Sequence, residues 1–407
     1  MKDNCIAAVR INQDLCSRCG VCYSLCPFDA VDHQPFGGIV EIDMQKCQVC
    51  GICSSACPVT AIEMAYYDYD DLLDTVRSAV RKAGTETLVM MCRGNSPSNN
   101  EVKDLLSANK LGTSRYIPIR VPCAGRIPTD FIFHALRSGV ENIVSIQCQD
   151  KFCRMKEGAG IETRRLMLGN AVLQQLGYPE NALTVVKYSR KAVWISKECV
   201  GCGKCSFICP YDAIQVGPFS SPTVIAENCV ACGACQLVCP HQAIQVQGYE
   251  FDTVLRSYGN ALKAMKAKRD APAILVLSCQ WSEYSALDYP EEMLKGKNAV
   301  IMEVPCFKGM DPLHVANAFR CGFDGVMAVV CAEKDCKLPK GRDSSERQVG
   351  VLQDYLRKEG LLERFHLHEH SPRCKGEFVD VFEEFHTKIA TIPFTAASAQ
   401  REARDDL

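Results

Sequence analysis

The spacing C-x2-C-x2-C-x3-C-P occurs four times, as "CSRCGVCYSLCP" from Cys16, "CQVCGICSSACP" from Cys47, "CVGCGKCSFICP" from Cys199 and "CVACGACQLVCP" from Cys229. Most of the 27 cysteines fall in these runs or in two matching sets further along, and only Cys5, Cys321 and Cys374 stand outside. The opening "MKDNCIAAVRINQDLC" has neither the apolar core of a leader nor a twin arginine, so a cytoplasmic, reducing setting is expected. Cysteines there serve metal ligation or redox chemistry, not structural disulfides.

The spacing has a geometric meaning. Three thiolates two residues apart can wrap a tight loop around one metal cluster. The fourth, three residues on, is expected to begin a short helix and point at a neighbouring cluster, with proline fixing the exit. Zinc draws on two widely separated cysteine pairs and explains tandem, closely spaced ligands poorly. Each pair of runs resembles the two-cluster bacterial ferredoxin family over about sixty residues. On that pattern Cys16, Cys19, Cys22 and Cys57 hold one 4Fe–4S cluster, and Cys47, Cys50, Cys53 and Cys26 a second. Cys199, Cys202, Cys205 and Cys239 form a third set, and Cys229, Cys232, Cys235 and Cys209 a fourth. Gly20, Gly51, Gly201, Gly203 and Gly233 would let backbone N–H groups approach sulfur. Short extended segments, "AVDHQ", "AIEMAY", "AIQVGP" and "AIQVQG", follow the motifs.

The runs belong to a longer repeat. Cys16 and Cys199 are 183 positions apart, as are Cys123 and Cys306, Cys148 and Cys331, and Cys153 and Cys336. Cys92 and Cys279 are 187 apart, so a small length change is absorbed locally. "IRVPCAGRIPTDFIFHALRSGV" echoes "MEVPCFKGMDPLHVANAFRCGF". The chain is one module duplicated.

Beyond each ferredoxin-like part the pattern is α/β. "TLVMMC", "YIPIRVPC" and "NIVSIQC" are apolar runs of strand length ending on cysteine, and "AILVLSC", "AVIMEVPC" and "GVMAVVC" repeat them. Helical spacing lies between, in "EVKDLLSANK", "PTDFIFHALRSGV", "RRLMLGNAVLQQLGY", "DPLHVANAFRCG" and "ERQVGVLQDYLRKEG". Alternating strands and helices predict a doubly wound parallel sheet covered on both faces, with sites at the carboxyl ends of strands. Cys92, Cys123, Cys148 and Cys153 would converge there, and again Cys279, Cys306, Cys331 and Cys336. Four such thiolates fit a 2Fe–2S cluster or zinc; inert buried cysteine is the alternative.

"VPCAGR" with "CQDKFCR" resembles the delta subunit of methyl-viologen-reducing hydrogenase, over residues 85 to 188 and less closely over 272 to 370. The resemblance implies two 2Fe–2S clusters and electron delivery into heterodisulfide-reductase-type complexes. In "VPCFKG" Lys308 replaces Arg126 and the glycine shifts to Gly309. The family's C-x2-C after its first strand is also altered, to Asn95 and Ser282 at the second positions.

The expected division is 5–66 and 191–248 for the α+β ferredoxin-like domains, 67–190 and 249–395 for the α/β iron–sulfur domains, and 396–407 for a polar tail. A net charge of −2 gives no general attraction to nucleic acid, and no apolar stretch could span a membrane. No G-x-G-x-x-G follows a strand, no two cysteines are adjacent, and each proposed cluster has four protein ligands, which leaves no open iron for a small-molecule substrate. The expected function is therefore an electron-transfer subunit, not catalytic alone. The resemblance implies that it links a donor subunit (hydrogenase, formate dehydrogenase or NADH-oxidising) to a heterodisulfide-reductase-A-like flavoprotein, in an electron-bifurcating complex of anaerobic metabolism. Two alternatives stay open: a catalytic oxidoreductase subunit with a substrate site at one strand-end cysteine cluster, and a ferredoxin carrying zinc-binding interaction domains.

Arg154, Lys156, Arg164, Arg165, Lys337, Lys340 and Arg342 follow the C-x4-C pairs, and either offset cluster charge, dock a partner or form a solvated helix face. His366, His368 and His370 alternate as on a strand and are expected at an exposed sheet edge, with metal binding as the other reading. Cys321 is expected to be buried packing.

Overall fold

A computed structural model describes residues 6–34, 38–66, 68–93, 96–217, 222–265, 271–279, 296–304, 306–307, 312–332, 335–336, 342–375 and 377–393. The chain forms two compact units, Met1–Ser189 with Pro372–Lys375, and Arg190–Ser371 with Gly376–Leu407.

The first unit opens with β1 (Ile6–Ala7), β2 (Val9–Ile11), α1 (Val21–Leu25), β3 (Val31–His33), β4 (Val40–Ile42), α2 (Ile52–Ser55) and β5 (Ile62–Met64). β2 pairs antiparallel with β5, and β3 with β4, so the extended segments after each motif close two small ribbons around the cysteine loops. α3 (Tyr69–Ala83) follows, capped by the Asp68 carboxylate, which accepts from the N–H groups of Asp70 and Asp71, and stopped by left-handed Gly84. Then come β6 (Thr87–Cys92), α4 (Asn99–Ala108), β7 (Tyr116–Val121), α5 (Thr129–Arg137), β8 (Asn142–Cys148), α6 (Gly158–Gln175) and β9 (Leu183–Tyr188). The four strands are parallel in the order β7-β6-β8-β9.

Every residue of β6 is buried, because both faces of the sheet are covered. Leu73, Val76, Phe131, Ile132, Leu166 and Leu173 of α3, α5 and α6 pack on Leu88, Met90 and Ile143. Val102 and Leu106 of α4 pack on the other face, against Val89, Met91, Val144, Ile146 and Val186.

The second unit repeats this plan. β10 (Ala192–Trp194), α7 (Lys204–Ile208), β11 (Ile214–Gln215), β12 (Thr223–Val224), α8 (Ala234–Val238) and β13 (Ile244–Val246) form its ferredoxin-like part, with β10 paired to β13 and β11 to β12. α9 (Phe251–Met265), β14 (Ile274–Cys279), β15 (Ala299–Val304), α10 (Pro312–Cys321), β16 (Gly325–Cys331), α11 (Arg342–Lys358), β17 (Phe365–His370) and α12 (Glu377–Thr391) follow. Its parallel sheet has the order β15-β14-β16-β17, the same as the first. Here α12 covers the face that α4 covers in the first unit, setting Phe378, Phe382, Phe385 and Ile389 against Ile274, Val276, Met327 and Val329.

The fourth cysteine of each run does not begin the short helix: Cys26, Cys209 and Cys239 are the C-caps of α1, α7 and α8, and Cys57 follows the C-cap Ala56 of α2. Cys321 is exposed, because it is the last residue of α10 and the chain turns through left-handed Gly322 after it. Cys374 is disulfide-bonded, against the expectation that no cysteine would be. Among the described residues no helix is long and apolar enough to cross a membrane.

Candidate metal centres

Each ferredoxin-like loop is bent by three left-handed residues at fixed places. The first lies just before the second cysteine: Arg18 (φ 56°), Val49 (φ 52°), Gly201 (φ 70°) and Ala231 (φ 53°). The second is the glycine before the short helix: Gly20, Gly51, Gly203 and Gly233. The third lies three residues past the fourth cysteine: Asp29, Thr60, Asp212 and Gln242, all near φ 50°. A β-branched residue such as Val49 or Thr60 adopts this region only against strain, which persists where the surroundings hold it.

The reason for the third bend is visible. It returns the next backbone N–H to the fourth cysteine, so Ala30 donates to Cys26 Sγ (3.4 Å), Ala61 to Cys57 (3.3 Å), Ala213 to Cys209 (3.4 Å) and Ala243 to Cys239 (3.2 Å). Val49 donates likewise to Cys47 Sγ, and Gly201 to Cys199. Donors aimed at sulfur favour the thiolate, the form that binds iron.

The cysteines gather across motifs. Cys26 lines a cavity with Cys47, Cys50 and Cys53; Cys209 lines one with Cys229, Cys232 and Cys235; Cys239 lines one with Cys199, Cys202 and Cys205. The Cys22 thiol is pushed up by burial and by the neighbouring Cys16 and Cys19. Burial pushes the Cys47 thiol up to about 12 and the Cys232 thiol to about 11.

At the sheet edges, Cys92 and Cys148 end β6 and β8, and Cys123 lies just past β7. All three are buried, and Cys153 is half-buried. The side-chain hydrogen bond from Cys148 favours the Cys92 thiolate and keeps the proton on Cys148, which burial and the Cys92 charge also drive up; burial first and the Cys92 charge next drive up Cys123. The Ala124 N–H donates to Cys92 Sγ at 3.1 Å. In the second unit the Phe307 N–H donates to Cys279 Sγ at the same 3.1 Å, and Cys306 and Cys331 hydrogen-bond Cys279. Cys336 is half-buried five residues past Cys331. Asn95 and Ser282 lie outside the described residues.

The family described as methyl-viologen-reducing hydrogenase, delta subunit, matches residues 88–198 and 274–392, more than half of the chain. The chain belongs to that family. Descriptions of a 4Fe-4S dicluster domain match residues 8–58 and 192–246, so the ferredoxin expectation holds for both copies. The vhc iron-sulfur subunit of the F420-non-reducing hydrogenase of Methanococcus voltae is 29% identical over 108 residues, covering 26% of this chain and 75% of that one. The corresponding iron-sulfur subunit of the F420-non-reducing hydrogenase of Archaeoglobus profundus is 28% identical over 127 residues, covering 30% and 93%. This delta-subunit-like chain is thus an iron–sulfur electron-transfer protein with the family's α/β fold present twice.

Residues around the first α/β site join it to its ferredoxin-like part. Arg126, of the "VPCAGR" loop, is wholly buried; its guanidinium donates to the Tyr66 carbonyl at 2.7 Å and its stem lies against Gly51. Arg165 donates to the carbonyls of Gly125 (2.8 Å) and Ile127 (2.9 Å) and to Ser55 Oγ (2.9 Å). Lys156 donates to the Pro27 carbonyl, just past Cys26, and sits over the Phe28 ring. Part of the basic group is therefore a clamp between the two parts of this unit, whereas Arg164 is exposed and Lys337 and Lys340 lie outside the described residues.

Two further residues matter that the spacing did not reveal. A Cβ on Gly158 would lie 2.1 Å from Cys123 Sγ, so only glycine admits the sulfur there. Glu162, one helical turn on, is fully buried; desolvation drives its carboxyl well up, with Arg165 opposing and the Cys92 charge adding to the rise. A helix-period scan could have placed Glu162 inward, but nothing in the sequence placed it near cysteine.

Proposed function

We propose that the chain is an electron-transfer subunit holding four 4Fe–4S and two 2Fe–2S clusters, in four domains divided as the repeat suggests. Its ligands would be the six cysteine sets named above. The observation that carries this reading is a succession of neighbouring cysteine sets that begins at the surface and recurs in both units. In the first unit Cys19 of the first set is exposed, Cys50 of the second is buried, and the Cys123 thiol in the sheet site is raised partly by Cys50. In the second unit Cys202 is exposed, Cys235 is buried, and Cys306 acts on Cys232. In both units, then, the second ferredoxin-like set lies deeper than the first, and a cysteine of the sheet site acts on a cysteine of that second set.

When bound, such clusters accept and release single electrons at potentials set by charge, hydrogen bonds to sulfur and exposure. The chain holds the thiolates, aims N–H groups at them and keeps the inner sets from water. The outer loops carry exposed apolar side chains, Leu15 and Tyr23 in one unit and Val200 and Phe207 in the other, which suits docking of protein partners. The relatives are named as hydrogenase subunits, which supports a heteromeric complex in which a donor subunit supplies a heterodisulfide-reductase-A-like flavoprotein.

Metal analysis and redox titration of the anaerobically isolated chain test the reading. About 20 irons per chain and separate signals from the two cluster types are expected. About 16 irons, with zinc bound through sulfur, would replace it by the zinc-domain reading.

A further inference from the structure

The internal repeat provides its own comparison at the edge strand of each sheet. Cys148 pairs in register with Tyr188 in the first, and Cys331 with His370 in the second. By the same register Val186 corresponds to His368. Val186 is buried in an apolar cluster with Val102 and Leu106, and Tyr188 packs beside it. Where the first unit has valine and tyrosine, the second therefore has two imidazoles. They are not at an exposed edge: His368 is 6% and His370 0% exposed.

We propose that His368, His370 and Glu377 form a mononuclear site for a divalent transition cation. One ligand atom from each residue lies within 4.8 Å of the others. Strand alternation puts His368 and His370 on the same face, with ring centroids 5.7 Å apart. Glu377 comes from the first residue of α12, the helix laid across that face. A helix with no sequence counterpart in the first unit thus brings a carboxylate to the two positions where imidazoles replace valine and tyrosine. His366, the third of the alternating histidines, turns to the Phe385 ring instead and stays outside the set.

The donor chemistry selects the ligand class. Two imidazole nitrogens and a carboxylate suit Zn²⁺ or Fe²⁺ with a position left for water, whereas an iron–sulfur cluster needs thiolates. A cation here would fasten the start of α12 to the edge strand beside Cys331. This site uses none of the cysteine ligands, so it stands apart from the relay reading.

The test uses the full chain with its clusters in place, exposed to Zn²⁺ alone and then freed of excess. About one zinc per chain is expected, with an X-ray absorption shell of nitrogen and oxygen at about 2.0–2.1 Å. The double variant His368→Val with His370→Tyr, which installs the first unit's residues, should lose that zinc and keep its iron. Glu377→Gln, at a half-buried position, gives a second test should the double variant not fold, and should lower zinc retention at least about tenfold. Absence of retained zinc in the parent chain, a shell of sulfur at about 2.3 Å, or unchanged retention in Glu377→Gln would overturn the proposal.

Discussion

Gly158→Ala should remove the metal centre of the first α/β sheet while leaving the ferredoxin-like centres in place. The added Cβ would lie 2.1 Å from Cys123 Sγ. Non-bonded heavy atoms settle at about 3.5–4.0 Å, so sulfur or backbone must retreat by roughly 1.5 Å. A metal ligand tolerates displacements of only about 0.2 Å. The backbone has no room to move away, because Gly125 and Gly158 already touch: a Cβ on Gly125 would meet the Gly158 carbonyl oxygen at 2.6 Å. Overpacking of this kind costs about 1–3 kcal/mol, too little to unfold most domains, so the clash is expected to show at the position of the sulfur. The assay is iron content together with low-temperature paramagnetic resonance of the reduced protein. About two irons should be lost, with the signal of one 2Fe–2S centre. A Gly158→Ala protein with full iron and unaltered signals would refute the assignment of Cys123 as a ligand.

Arg165→Ala should lower the melting temperature, because the Gly125 and Ile127 carbonyls and Ser55 Oγ lose their donor; about 1–3 kcal/mol is expected, read by denaturant titration, and Arg165→Lys should recover only part. Arg373→Ala should lower the reduction potential of the centre at Cys47, whose thiolate the guanidinium stabilises; a redox titration showing no shift would contradict this. Because burial holds Cys47 near 12 and Cys232 near 11, these thiols keep their protons in the metal-free chain and must release them to bind iron. Reconstitution at limiting iron should therefore weaken as pH falls from about 8.5 to about 6.5, followed by visible absorbance.

Local chemistry was legible in the sequence and distant chemistry was not. The cysteine runs could be read because three ligands of each set sit within a few residues of one another, and the strands because "TLVMMC" and "AILVLSC" are buried on both faces. α3 and α9 cover "YDDLLDTV" and "FDTVLRSY", stretches between the cysteine motifs that carry no ligand to mark them. α12 has no partner in the repeat, so nothing announced that it would cover the histidine strand, and the exposed-edge expectation failed for that reason. The clamp formed by Arg126, Arg165 and Lys156 joins residues up to 129 positions apart, a separation that no motif encodes. Cys321 misled because its neighbours in "AFRCGF" are apolar, while its place at the helix end turns it outward.

The strand Cys374–Lys375 pairs with β1, and Arg373 donates to the Met44 and Gln45 carbonyls, so the first unit borrows a short piece from far downstream. During synthesis the amino-terminal half must then wait, its edge unfinished, until the ribosome has passed Lys375. Iron delivered to the nascent chain would meet the Cys47 loop before its closing segment exists. The gene duplication therefore did not yield two proteins on one string, and cutting the string after Ser189 would leave the earlier half short of its own last stitch.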